Sequence, residues 1–123
     1  MIASLHQQRS LVLFFAGRSL LCQTADWATR HPEYSVVCLM SGSPDWVESV
    51  VREAAVVLID ATESPGAAMS LLQRIGRDGR PTPVSVYTET MHPGLELAVR
   101  VQGAALLLGP MSPEEWGRVM DDR

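Results

Sequence analysis

Five short runs of apolar, β-favouring residues recur along the chain: Leu11 to Ala16, Ser35 to Met40, Ala55 to Ile59, Val84 to Thr88 and Ala105 to Leu108. None alternates between apolar and polar positions, which is the pattern of strands buried on both faces of a parallel sheet. After each run the apolar positions change to helical spacing. Leu20, Leu21, Thr24, Trp27 and Ala28 form the first such face. Val47, Val50, Val51 and Ala54 form the second, Ala68, Leu71, Leu72 and Ile75 the third, and Leu97, Ala98 and Val101 the fourth, each able to cover a sheet. Trp116 and Val119 mark the inward side of a fifth. Trp27, Trp46 and Trp116 all fall within these helices and read as packing residues.

The punctuation supports the same elements. Ser43-Pro44, Ser64-Pro65, His92-Pro93 and Ser112-Pro113 each place a capping residue before a proline, whose fixed φ and missing N–H suit the first helical position. His92 reads as a cap on this ground. Ser112-Pro113-Glu114-Glu115 has the spacing of a capping box. Pro32, Gly79 and Gly103 read as the stops of the first, third and fourth helices. Strict alternation of strand and helix predicts an α/β protein: a three-layer (βα)5 sandwich, flavodoxin-like, with a parallel five-stranded sheet of order 2-1-3-4-5 and right-handed crossovers.

A chain of 123 residues has room for one core, so residues 1–123 are expected to be a single domain, whether standing alone or as the N-terminal part of a longer regulator. At 46% hydrophobic and 20% charged positions, with mean hydropathy +0.07, the chain is expected to fold. No apolar run approaches the length needed to cross a bilayer. The net charge of −4 and the lack of a basic cluster argue against direct nucleic-acid contact. All ten cations are Arg, so chemistry that needs a lysine ammonium, such as a Schiff base or a P-loop, is excluded. Cys22 and Cys38 sit in apolar stretches without CxxC spacing and are expected to be small buried hydrophobes. With no secretory h-region near Met1, a reducing, cytoplasmic setting is expected.

In a sheet of this order, ligands bind outside the carboxyl ends of the strands. Those ends read Phe15-Ala16-Gly17-Arg18, Ser41-Gly42-Ser43, Asp60-Ala61-Thr62-Glu63, Thr88-Glu89-Thr90 and Gly109-Pro110-Met111. Asp60 is the only acid placed directly at a strand end. A carboxylate closing the run VVLID must meet donors or a cation to be tolerated, and Thr88 on the neighbouring strand is its expected partner. If Asp60 is structural, Asp60→Asn should preserve stability or raise it slightly, while Asp60→Ala should cost about 1–3 kcal/mol. His6, His31 and His92 have no metal-ligand spacing. No G-x-S-x-G or G-x-G-x-x-G turn is present. Gly17-Arg18-Ser19 could hold a small anion at a helix N-terminus.

VVLID at the third strand, the P-x-P-V-S-V-Y-T run ending at Thr88, Gly103-Ala104 before the fifth strand and Leu108-Gly109-Pro110 after it resemble the receiver domain of two-component response regulators, the CheY-like fold. The resemblance spans nearly the whole chain. It implies that Asp60 stands where the family has its phosphoacceptor and Thr88 where it has its switch hydroxyl. It also exposes departures. Phe15, Ala16 and Gly17 occupy the place of the acidic pair that helps hold Mg²⁺, Gly109 that of the lysine, and Leu106 that of the switch aromatic. One carboxylate is too few hard ligands for Mg²⁺, and phosphoryl transfer relies on such charges. Arg18 could act as a surrogate cation and Glu63 as a surrogate ligand. The competing readings are a solvated Arg18 and a Glu63 explained by the dipole of the third helix.

The resemblance therefore implies a degenerate receiver, or pseudo-receiver: a non-enzymatic signalling module acting through protein contacts, with no cofactor and no ordinary Mg²⁺-dependent phosphorylation. Its implied partner surface, also a homodimer surface, is the face of helix 4, strand 5 and helix 5, carrying Glu96, Arg100, Gln102, Glu114, Glu115 and Arg118. Two alternatives stay open. One is a receiver still phosphorylated at Asp60 by a histidine kinase, and the other a small-molecule sensor with its cleft between Gly17, Ser41 and Asp60.

Overall fold

The computed structural model describes residues 9–40, 44–77 and 82–121. Strands and helices alternate: β1 (Arg9–Phe14), α1 (Arg18–Thr29), β2 (Tyr34–Leu39), α2 (Pro44–Glu53), β3 (Val56–Asp60), α3 (Pro65–Arg77), β4 (Val84–Thr88), α4 (Leu95–Val101), β5 (Ala105–Leu108) and α5 (Pro113–Asp121). The strands form one parallel sheet of order β2-β1-β3-β4-β5, as the alternation predicts.

The sheet separates two apolar layers. On one side Val12, Phe14, Val57 and Ile59 meet residues of α2, α3 and α4, including Val51, Leu72 and Val99. On the other, Leu11, Leu13, Leu58 and Tyr87 meet α1 and α5 through Leu20, Trp27, Trp116 and Val119. Successive strand residues thus enter opposite layers, which is why the runs carry no polar alternation. Trp27 stacks with His31 (ring centroids 4.2 Å apart) and with Trp116 (5.4 Å), joining α1 to α5.

The helix starts follow the punctuation at three places. Pro44, Pro65 and Pro113 are the first residues of α2, α3 and α5, while Ser43 and the stop expected at Gly79 lie outside the described residues. The capping box closes reciprocally: the Glu115 N–H donates to Ser112 Oγ at 3.1 Å, and the Ser112 N–H donates to Glu115 Oε1 at 3.0 Å. Gly103, with φ 76°, ends α4 as expected.

Three expectations are corrected. His92 and Pro93 do not start the fourth helix. Gly94, in the left-handed region at φ 81°, stands at its N-cap, and His92 contributes only its carbonyl, to the Leu95 N–H at 3.0 Å. Leu95 and Val99 are the buried pair of α4, whereas Leu97 is 66% exposed and Val101 72%. The two pairs stand roughly 200° apart around the axis, so the helix is apolar on two sides and docking selects one. Cys22 and Cys38 are exposed free thiols, because Cys38 lies on the edge strand β2 and Cys22 on the outer side of α1.

The contrast within α4 is directly measurable. Leu95→Ala should cost about 2–5 kcal/mol, whereas Leu97→Ala should stay within about 0.5 kcal/mol of the parent, both read as shifts in urea unfolding. Equal losses would contradict this docking of α4.

Candidate functional site

β3 is buried at every position and ends on Asp60, which is 4% exposed. Each of its carboxylate oxygens accepts a backbone N–H: Oδ1 from Thr62 at 2.9 Å and Oδ2 from Gly17 at 2.9 Å. The Thr62 bond is a local turn, the side chain bonding two residues ahead. The Gly17 bond is long-range and depends on how the chain leaves β1. Phe15 takes φ 61°, the one non-glycine residue with positive φ among the described residues, a conformation costing about 1–3 kcal/mol. Its N–H donates to the Leu39 carbonyl at 2.8 Å, and its ring lies 6.3 Å from that of Phe14. Those contacts hold the turn that aims Gly17 at Asp60.

The other residues singled out in the sequence distribute differently. Thr88 is fully buried, but its hydroxyl donates to the Thr90 carbonyl at 2.7 Å and accepts the Thr90 N–H at 3.2 Å, closing a turn at its own strand end. The expected Thr88 to Asp60 partnership is replaced by the two backbone donors. Arg18 is exposed in the first turn of α1, and no ion pair joins it to Asp60 among the described residues. Glu63 is exposed and stands two residues before Pro65, at the N-terminal approach to α3, where the helix dipole favours an acid. Its carboxylate also lies near Gly17: a β-carbon built on Gly17 would sit 3.6 Å from Asp60 Oδ2 and 3.9 Å from Glu63 Oε2. Ala16 is buried in the α1 and α5 layer, and Leu106 packs partly buried on the opposite one. Gly109 has φ 71° and donates its N–H to the Thr88 carbonyl at 2.8 Å. Ser41, one wall of the cleft considered for a small molecule, lies outside the described residues.

This donor set does not fit the Mg²⁺ that the fold implies. Among the described residues no three His, Cys, Asp or Glu side chains converge on one point. Asp60 and Glu63 supply at most two carboxylates, so water would have to fill most of the octahedral shell of such an ion, and each Asp60 oxygen already accepts an N–H bond.

Beside this pocket, on the α1 side of the sheet, lies a polar cluster that sequence reasoning missed. Gln23 Nε2 donates to Tyr87 Oη at 2.8 Å and to Ser19 Oγ at 3.1 Å, while Gln23 Oε1 accepts the Met111 N–H at 2.9 Å. Tyr87 Oη donates to Glu89 Oε2 at 2.6 Å. Hydrogen bonds from Ser19 and then Tyr87 hold the Glu89 carboxyl below the ordinary glutamate range. Burial, followed by the bond to Glu89, pushes the Tyr87 phenol above its ordinary value. The only sequence signal was the Ser19 to Gln23 spacing of one helical turn. Nothing local pairs Gln23 with residues 64 and 88 positions away.

No family model and no curated protein matches the chain. Solved structures do. A signal receiver domain of a two-component histidine kinase from Clostridium thermocellum superposes with TM-score 0.71 at 14% identity, covering 93% of this chain and 98% of that one. Chemotaxis protein CheY4 of Vibrio cholerae gives 0.67 at 16%, covering 91% and 98%. The N-terminal receiver domain of RstA from Klebsiella pneumoniae, in its BeF3-activated form, gives 0.65 at 20%, covering 86% and 90%. At such identities the shared property is the fold: the chain has the CheY-like receiver fold.

The geometry at Asp60 reverses one expectation. An asparagine keeps one acceptor and turns an NH₂ toward the Thr62 or the Gly17 N–H, so Asp60→Asn should destabilise the fold by about 1–3 kcal/mol, as should Asp60→Ala, measured by urea unfolding. The cluster predicts a pH dependence. Because the folded Glu89 value is lowered, its contribution is complete above the ordinary carboxylate range and fades as pH falls through the folded value. The difference in unfolding midpoint between the parent and Glu89→Ala should therefore shrink on acidification.

Proposed function

We propose that this chain is a pseudo-receiver: a non-enzymatic signalling module that acts by protein contact and is not switched by Mg²⁺-dependent phosphorylation of its aspartate. The observation that carries this reading is the state of Asp60. Both of its oxygens are engaged by backbone N–H groups, and the positions that would bring further carboxylates and a cation hold Phe15, Ala16, Gly17 and Gly109. A phosphoryl group bonded to either oxygen would disturb the N–H bond that oxygen accepts, and among the described residues no cationic side chain pairs with Asp60 to neutralise it. Glu63, gathered against the same glycine, adds negative charge instead. Its proximity is also the one feature on the side of the second reading, a phosphoacceptor with a rebuilt ligand set.

For a contact module the relevant surface is that of α4, β5 and α5, and its occupant in this reading is a second copy of the chain. Leu97, Val101 and Leu108 (52% exposed) form its apolar part, in place of the wholly charged and polar surface the sequence suggested. A cavity of about 450 Å³ between β5 and α5, bordered by Leu107, Arg118 and Val119, opens nearby. Glu96 and Arg100 pair at 2.7 Å on α4, and α5 carries Glu114, Glu115 and Arg118. Acids and arginines on one patch allow each copy to oppose the other's charges about a two-fold axis. In this reading the chain binds no cofactor, contacts no nucleic acid directly and works in the cytoplasm.

Sedimentation equilibrium and intact mass test the proposal together. The parent should be dimeric at micromolar concentration, and Leu97→Glu or Val101→Glu should be monomeric with the circular-dichroism spectrum of the folded parent. Incubation with a small phosphoryl donor and Mg²⁺ should leave the mass unchanged. Gain of one phosphoryl group, lost in Asp60→Asn, would overturn the pseudo-receiver reading in favour of the second. A monomeric parent would overturn the choice of occupant.

A further inference from the structure

The loop from β5 into α5 is tied to the rest of the molecule at few polar points. Gly109 donates to Thr88 at the strand end, and Met111 donates to Gln23. The Met111 side chain is buried in the layer that holds Trp116. Gln23 is thus the side chain of α1 that reaches the entrance of α5. Its amide is fully used, both N–H groups and the oxygen being bonded, which fixes its rotamer and makes its reach to Met111 specific. Through Tyr87 the same amide connects to Glu89, the exposed member of the cluster. The cluster meets the aspartate pocket at one point: the Glu89 N–H donates to Thr62 Oγ1 at 3.1 Å, and the Thr62 N–H donates to Asp60 Oδ1.

We propose that Gln23 is a positioning residue that sets the loop entering α5, and with it the α5 part of the contact surface. The line Glu89, Tyr87, Gln23, Met111 is the route by which the β4–α4 connection biases α5. A partner that draws the Glu89 carboxylate outward weakens the bond from Tyr87, frees the Tyr87 hydroxyl to rotate, and loosens Gln23 on Met111. Networks of this kind polarise and support one another, so loss at one end is felt at the other. The inference stands whether or not Asp60 accepts a phosphoryl group, and so it goes beyond the pseudo-receiver reading.

Amide exchange followed residue by residue on the ¹⁵N-labelled full chain tests it, with near-UV circular dichroism of the stacked Trp27 and Trp116 as a second readout of α5 against α1. Gln23→Met, similar in shape without the hydrogen bonds, should speed exchange at Met111 about tenfold, the loss of one hydrogen bond, and alter the tryptophan signal. Core amides of β3 should exchange as in the parent. Tyr87→Phe should act in the same direction with a smaller effect, and it decides alone if Gln23→Met fails to fold. Mg²⁺ with beryllofluoride added to the parent should leave Met111 exchange within about twofold. Unchanged Met111 exchange in both tether variants would overturn the proposal, as would a beryllofluoride effect that moves Met111 as far as Gln23→Met does. A phosphoryl adduct formed without movement of Met111 would sink the pseudo-receiver reading and leave this one standing.

Discussion

A carboxylate at the end of a strand buried on every side is the constraint from which the edge of this molecule follows. Asp60 closes β3 between β1 and β4, where solvent cannot hydrate it, so donors must be brought to it. One comes from the chain just beyond, at Thr62. The other must come from across the sheet, and the cost is a phenylalanine in the left-handed region. Phe15 persists at φ 61° because its amide is bonded to β2 and its ring is packed against the core. Gly17 then serves twice, as the donor to Asp60 and as the N-cap of α1. The departure from β1, the start of α1 and the aspartate pocket are one unit.

That unit accounts for its own polar groups, and the consequence reaches the rest of the edge. With Thr88 closed on Thr90, the aspartate pocket meets the rest of the edge through Thr62, whose hydroxyl accepts the Glu89 N–H. The β5–α5 loop is held by another device, the Gln23 amide, which draws on α1, β4 and the loop itself. Within the receiver fold the polar contacts of this edge gather around Asp60 and around Gln23, and the two groups meet at Thr62. Their difference in exposure matters: Asp60 is sealed, whereas Glu89 at the far end of the tether faces solvent.

Legibility in the sequence varied with the range of the forces involved. The β3 run and Asp60 were legible because burial on both faces leaves no polar residue until the strand ends. The capping box of α5 was legible because Ser112 and Glu115 satisfy each other within one turn. α4 was not: with Leu95, Leu97, Val99 and Val101 on its two sides, periodicity could not say which pair the sheet takes. Cys38 was misread for a related reason. Its run looks like a central strand, and only the position of β2 at the sheet edge opens it to solvent.

What the sequence by itself determined is therefore the order of elements, the parallel sheet and the presence of one acid at a central strand end. These rest on apolar periodicity, turn chemistry and chain reach, all of which are local. The tertiary structure alone decided who satisfies that acid, which side of α4 faces out, and how α5 is anchored. The Gly17 amide and the Gln23 side chain find their partners across 43 and 64 or more positions only when parallel strands bring them to one edge. Hydrogen-bond geometry at that edge is set to a fraction of an ångström by packing elsewhere. No local pattern encodes it.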